Sequence, residues 1–340
     1  MLNHIEPLLG KTLQELQAIA QEVGLPRFAG KQLAEWLYVR RATTFDEMTN
    51  ISLKGREALK ERYTVGRYAP IAEAISKDGT KKYLFQIGEQ FVESVYLPED
   101  DRATLCVSTQ AGCKMGCKFC MTGTLGFHGH LAAADILNQI FSIPDADKLT
   151  NIVYMGEGEP MDNLDNVLSS LEVMTSPWGC AWSPKRITIS SVGINKGLKR
   201  FIEESDCHLA ISLHNPFGAE RQEIMPIERV NHLNDVIELL KQYDWSHQRR
   251  VSFEYICWGG VNDTPKHANE LLRLLKGLDC RINLIRFHAG VDKTFTNSDE
   301  KQMEWLRDYL TERGITTTIR RSRGEDILAA CGMLVNALKN

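Results

Sequence analysis

The 340-residue chain has no apolar run that reaches the ~18 residues of a membrane-spanning helix, so none is expected. Its opening, Met1-Leu2-Asn3-His4-Ile5-Glu6-Pro7, lacks the basic segment followed by an apolar one that marks a secretory signal, and a cytoplasmic protein is expected. Charge of one sign is not in excess either: 40 Lys and Arg against 44 Asp and Glu leave a net −4. That argues against a uniformly basic nucleic-acid binder but leaves room for a local basic patch. With 43% apolar and 25% charged residues the composition is that of an ordinary globular protein, and the length suits one large domain plus a smaller one.

Cysteine is not scarce, but a fourth cysteine is missing where it would be informative. Nine cysteines in a reducing compartment point to metal, catalysis or burial rather than a disulfide framework. Three of them, Cys113, Cys117 and Cys120, are spaced C-x3-C-x2-C. Structural zinc is held by four ligands and ordinary ferredoxin clusters by four cysteines. Three thiolates on a cubane leave one iron open to another ligand. The spacing also admits zinc with a remote fourth ligand, His128 or His130, or three unrelated buried thiols.

Residues 12 to 63 read as helical, with Leu13, Leu16, Ala20 and Val23 at helical spacing before Gly24 and Pro26, a second face at Leu33, Trp36 and Leu37, and a charged helix from Ser52 to Tyr63. Residues 71 to 97 change period, with turn signals at Asp78-Gly79 and Gly88-Glu89. The last run there puts Phe91, Glu93, Val95 and Leu97 on one face, and alternation alone allows that face to be solvated with Glu93 at the surface. From residue 104 strands and helices alternate. The strands are expected at 104–109, 151–155, 186–190, 208–213, 251–256 and 282–285. The helices are expected at 132–141, 164–174, 232–241 and 266–276. Six βα units imply an α/β fold with a parallel sheet, too small for an eight-stranded barrel, hence an open, partial (βα)6 barrel. A small helical domain (1–68), a β-hairpin linker (69–98), a core (99–320) and a C-terminal segment (321–340) are expected.

In such folds the chemistry gathers at the C-terminal ends of the strands, and the cysteine loop follows the first one. After the second come Gly156-Glu157-Gly158-Glu159-Pro160; after the third, Ser190, Ser191 and Gly193; after the fourth, Ser212, Leu213 and His214; after the sixth, His288. Each is also an ordinary cap or turn residue. Their recurrence favours one shared pocket. Cys106 lies within the first strand and Cys331 near the end of the chain. For Cys180, Cys207, Cys257 and Cys280 plain burial is expected.

Together these segments resemble the RlmN/Cfr family of radical-SAM RNA adenine methyltransferases. The residues that carry the resemblance are Arg102-Ala103-Thr104-Leu105-Cys106-Val107-Ser108-Thr109-Gln110-Ala111-Gly112-Cys113, the cysteine loop, Gly158-Glu159-Pro160, Ser212-Leu213-His214, Gly324-Glu325-Asp326 and Ala329-Ala330-Cys331-Gly332. The resemblance spans nearly the whole chain. It implies that Cys113, Cys117 and Cys120 bind a [4Fe-4S] cluster, and that Gly158, Glu159, Ser190, Ser212, Leu213, His214 and His288 contact S-adenosylmethionine (SAM). It implies Cys331 as the methyl carrier, Cys106 as the resolving cysteine and Glu93 as the proton acceptor. Two departures stand out. Gly126-Phe127-His128-Gly129-His130-Leu131 replaces a common Gly-Phe-Asn-Arg-Asn-Leu, and His288 stands where asparagine is common.

The implied chemistry suits these residue types. C2 of adenine is not nucleophilic, so a thiolate first takes the methyl group from one SAM. A radical made from a second SAM then activates that methyl group for addition to the base. Glu93 accepts the C2 proton and Cys106 releases product as a transient disulfide. The implied partners are RNA (23S rRNA and tRNA) and an electron donor such as a flavodoxin or reductase; a monomer is expected. Arg320, Arg321, Arg323, Arg249 and Arg250 are candidate phosphate contacts. C8 methylation, a radical-SAM enzyme of small molecules, and a non-enzymatic metal-binding RNA module are the competing readings.

Overall fold

The computed structural model describes residues 5–246, 249–288 and 295–335. Helix α1 (Leu13–Glu22) begins where Thr12 Oγ1 accepts from the Glu15 amide and the Glu15 carboxylate takes the Thr12 N–H. This reciprocal box satisfies donors that a first turn leaves free. Leu16, Ile19 and Ala20 bury the apolar face of α1. Helix α2 (Ala29–Ala34) runs into a π-helical turn over Glu35–Val39, and α3 (Leu53–Lys60) starts at a Ser52 cap. The third helix is therefore shorter than expected from 52–63, because Tyr63 and Thr64 leave it to pair in parallel with Glu6 and Pro7.

One sheet holds ten strands among the described residues, and its spatial order is its chain order. The strands are β1 (Ala72–Ile75), β2 (Lys81–Ile87), β3 (Gln90–Pro98), β4 (Ala103–Cys106), β5 (Asn151–Tyr154), β6 (Ile187–Ser191), β7 (His208–Ser212), β8 (Val251–Cys257), β9 (Cys280–Arg286) and β10 (Thr316–Ile319). Strands β4 to β10 are parallel, while β1, β2 and β3 join antiparallel at the β4 edge. Parallel neighbours need long crossovers. Helices α4 (Ala133–Phe141), α5 (Leu164–Thr175), α6 (Asn195–Glu204), α7 (Gly218–Ile224), α8 (Leu233–Leu240), α9 (Pro265–Leu274) and α10 (Glu300–Glu312) supply them. The core lies between helices and sheet, and β8 is buried along its whole length.

The expected barrel gains a seventh parallel strand, β10. Its sequence, Thr316-Thr317-Thr318-Ile319, buries only Thr317, and an edge strand needs no apolar run. The strands of the expected linker, β1–β3, continue the main sheet. Strand β4 ends at Cys106 rather than 109, after which Thr109 and Gln110 bond the Glu157 carbonyl. The sheet must curl: β4 and β8 would stand about 19 Å apart if flat. Yet Phe119, in the loop that follows β4, packs its ring 5.6 Å from that of Trp258, the residue after β8.

Candidate active site

The cysteine loop is closed by a small ribbon in which Gln110–Gly112 pairs antiparallel with Phe127–His130. The Cys113 amide donates to the Gly126 carbonyl at 2.9 Å. Gly112, at φ +69°, has no alternative, because a Cβ there would lie 1.8 Å from that carbonyl oxygen. Burial pushes all three thiols up, Cys113 to about 12, and each is raised further by neighbouring negative groups: Cys113 by Glu159 and then Cys120, Cys117 by both partners, Cys120 by Glu157. Each candidate fourth ligand for zinc has one ring nitrogen already engaged. His128 Nε2 lies 2.7 Å from the Leu125 carbonyl, and His130 Nδ1 lies 3.1 Å from Gln110 Nε2. Among the described residues no group of three His, Cys, Asp or Glu is gathered tightly enough for one ion. A cubane takes each thiolate on a different iron, so its donors stand farther apart than around one zinc. The donor set fits a cluster held by three cysteines.

The C-terminal segment lies across this loop. Asp326 accepts from Ser76 Oγ at 2.6 Å and from the Lys77 amide, while Asp78 accepts from the Gly324 amide at 3.0 Å. Farther on, the Met121 amide donates to the Gly332 carbonyl at 2.7 Å, and Thr122 Oγ1 to the Leu334 carbonyl at 2.9 Å. Cys331 thus sits over the cysteine loop. It is exposed, and crowding by the surrounding protein raises its thiol. Cys106 is pushed up to about 12 by burial and then by Cys331. Cys106 packs against the cluster of Val95, Ala329 and Leu334, which brings it to the segment carrying Cys331, 225 positions away.

Glu93 is not at the surface; its side chain is fully buried, which overturns the solvated alternative for that face. Lys82, equally buried, lies 3.0 Å from Glu93 Oε1 and donates to the Leu328 carbonyl at 3.3 Å. Glu93 Oε2 accepts from the Val335 amide at 3.1 Å. A buried charge demands such partners. Lys82 escaped the sequence reading, but the two-residue turn at Gly88-Glu89 sets Lys82 opposite Val95, diagonal to Glu93 on the same face. That register was the available signal.

At the other strand ends, Gly158 (φ +100°) approaches Gln110 so closely that a Cβ would come within 2.5 Å of its Cβ. The Glu159 carboxylate accepts from the Met161 amide at 3.0 Å and the Val192 amide at 2.9 Å, and burial lifts it to about 7. Ser190 and Ser212 are half-buried near the ends of β6 and β7, and Leu213 is buried just beyond. His214, at φ +55°, accepts from the Ile256 amide and packs its ring 4.7 Å from Phe119 of the cysteine loop. Burial and then Arg221 hold it down at about 3, a neutral imidazole. His288 lies 2.6 Å from Ser322 Oγ, and burial lowers it. Arg221, missed in the sequence, is fully buried; it pairs with Glu228 and donates to the carbonyls of Val192, Ser212 and Leu213. Glu157, given no role of its own in the sequence, is buried between Glu93 and Gly112. Of the candidate phosphate contacts, Arg249 is spent on the Ile202 and Ser205 carbonyls, whereas Arg320 and Arg321 are exposed. Two surface clefts of about 450 and 540 Å³ lie among the outer helices, lined by none of the residues expected at the site.

Residues 7–65 match the family described as the ribosomal RNA large subunit methyltransferase N-terminal domain, and residues 107–275 match the radical SAM superfamily. The chain is 59% identical over 332 residues to the "Probable dual-specificity RNA methyltransferase RlmN" of Bacteroides thetaiotaomicron, covering 97% of this chain and 96% of that one. The chain belongs to the RlmN family. A more distant RlmN-family relative, the "Dual-specificity RNA methyltransferase RlmN" of Halorhodospira halophila, is 39% identical over 98% of this chain and 94% of its own. A crystal structure of a radical SAM methyltransferase from Sphaerobacter thermophilus superposes with a TM-score of 0.90 at 34% identity, covering 96% and 98% of the two chains. RlmN-family membership within the radical SAM superfamily brings with it a [4Fe-4S] cluster and SAM.

Proposed function

We propose that the protein methylates C2 of adenosine in RNA, with Cys331 carrying the methyl group, Cys106 resolving and Glu93 accepting the C2 proton. The observation that carries this is the docking of one segment, residues 324–335, on the cysteine loop and Glu93 at once, with its Cys331 beside Cys106. Cys113, Cys117 and Cys120 would hold the cluster, and the strand ends at Gly158, Glu159, Ser190, Ser212, Leu213, His214 and His288 would line the SAM side. Bound there, cluster and SAM supply the electron, the methyl group and the hydrogen-abstracting power that an electrophilic ring carbon requires.

The chain's own groups divide the remaining work. Neutral His214 offers one ring nitrogen to the Ile256 amide and keeps the other edge for a ligand. Arg221, by gathering three carbonyls after β6 and β7, fixes the floor on which Ser212 and His214 stand. Lys82 holds Glu93 and the Cys331 segment in one frame. An adenosine of 23S rRNA at the peptidyl-transferase centre and the adenosine 3′ of the anticodon in some tRNAs are the substrates we favour. The relatives named as dual-specificity RNA methyltransferases support this. The helices of residues 1–68 would hold structured RNA by shape, and a flavodoxin or reductase would supply electrons. C8 is the alternative position.

The test is a map of methyladenosine isomers in rRNA and tRNA from cells with the gene, without it, and with Cys331→Ala. Methylation at C2 that needs Cys331 is expected; methylation at C8, or C2 methylation surviving in the variant, refutes the assignment.

A further inference from the structure

Strand β4 pairs with β3 as Val95 with Cys106 and Leu97 with Thr104, so the next place in the register sets Glu93 opposite Ser108. But β4 has ended by then, and the ladder groups of Glu93 on that side lose their partners. Two side chains replace them. Ser108 Oγ donates to the Glu93 carbonyl at 2.6 Å, and the Glu93 amide donates to Glu157 Oε1 at 2.8 Å. The other Glu157 oxygen accepts from the amide of Gly112, the residue before Cys113, at 3.3 Å. The Glu157 amide in turn donates to Ser108 Oγ at 2.9 Å. Glu157 is 1% exposed. A carboxyl group so deeply buried is costly unless it is satisfied, and here both oxygens are used on backbone donors from two different functional segments.

We propose that Glu157 is a positioning residue, a clamp that sets the backbone of the proton acceptor Glu93 at a fixed distance from the cysteine loop. This rests on the function proposed above, in which Glu93 must meet the base while Cys331, seated on the loop, delivers the methyl group. A glutamate does this where an apolar side chain of the same size does not, because two amides from separate strands need acceptors at one point. Glu157 touches neither substrate nor cluster in this role; it acts through Glu93.

The test uses the full-length protein isolated from cells, with Glu157→Gln and Glu157→Leu beside Cys106→Ala. Glutamine keeps one acceptor and turns an N–H₂ toward the second amide; leucine removes both acceptors. Losing hydrogen bonds to a charged or buried acceptor predicts a turnover lowered about ten- to a hundredfold, more in the leucine variant, with KM for RNA within about twofold. Iron content and the methyl group on Cys331, read by mass spectrometry, should stay at the wild-type level. RNA crosslinked to the protein should accumulate on denaturing gels, since the step that fails follows attachment. In the proteins stripped of iron, amide exchange should quicken in peptides covering 90–98 and 110–116 and not elsewhere. Wild-type turnover in both variants overturns the proposal, as does a rate loss matched by equal losses of iron and of methylated Cys331. Should the leucine variant not fold, the isosteric glutamine decides alone. Cys106→Ala separates the two levels: without crosslinked RNA in that variant the reaction scheme fails, whereas its presence there beside a normal Glu157→Gln sinks only the clamp.

Discussion

Glu93 and Lys82 show how much one residue type reveals about its surroundings. Each is a charge with no exposed side-chain surface, and each is tolerable only because the other lies 3.0 Å away. Removing one partner strands the other. Lys82→Met is expected to lower stability by about 3–5 kcal/mol, measured by denaturant unfolding, with Lys82→Met combined with Glu93→Leu recovering much of the loss. If the single variant is as stable as the wild type, the pair is not what holds Glu93. The alternation around Glu93 was legible in the sequence, its burial was not. A strand pattern says which residues share a face, and only the packing above says whether that face is wet.

Among the elements, the loops after β4 and β5 matter most. They are stitched together by the Thr109 and Gln110 amides on the Glu157 carbonyl and by the close approach of Gly158 to Gln110. Gly158→Ala adds a Cβ where Gln110 already stands and strains a backbone at φ +100°. It is expected to cost about 1–3 kcal/mol and, because Gln110 begins the ribbon that closes the cysteine loop, to lower iron content on isolation. A variant with normal melting temperature and normal iron would show that the loops are not coupled. The glycine's presence was plain in the sequence; the structure adds that it admits the Gln110 side chain. Conversely β10 was missed, since three threonines and an isoleucine at a sheet edge carry no apolar signature.

For the whole molecule the buried titratable groups set a pH response. Glu157 and Glu159 are raised by burial from 4.5 to about 8 and about 7. Between those values the folded state binds protons that the unfolded chain has lost, so their contribution is lost as pH rises toward about 8. His214 and His208 are lowered by burial from 6.5 to about 3 and about 4. There the unfolded chain binds the extra protons, and stability is lost as pH falls below 6.5. The two pairs oppose each other between 4.5 and 6.5, and only the glutamates act above. Thermal melts of the iron-free protein should therefore be nearly flat across the lower window and fall from pH 6.5 to 8, less steeply in Glu157→Gln. A melting temperature that climbs through that upper window contradicts the upward shift of the two buried glutamates.

The sequence by itself determined the three-cysteine loop, the alternation of strands and helices, and the placement of Glu159, Ser212 and His214 at strand ends, because spacing, period and turn residues are local properties. It also singled out Cys106 and Cys331, through resemblance rather than physics. Only the tertiary structure decided that the segment carrying Cys331 packs beside Cys106 and over the cysteine loop, and that Glu157 and Arg221 are buried at the candidate site. These depend on a curled sheet and on a C-terminal segment laid back across its first strand. Contacts between residues more than two hundred positions apart leave no trace in local pattern, since no period or spacing connects them.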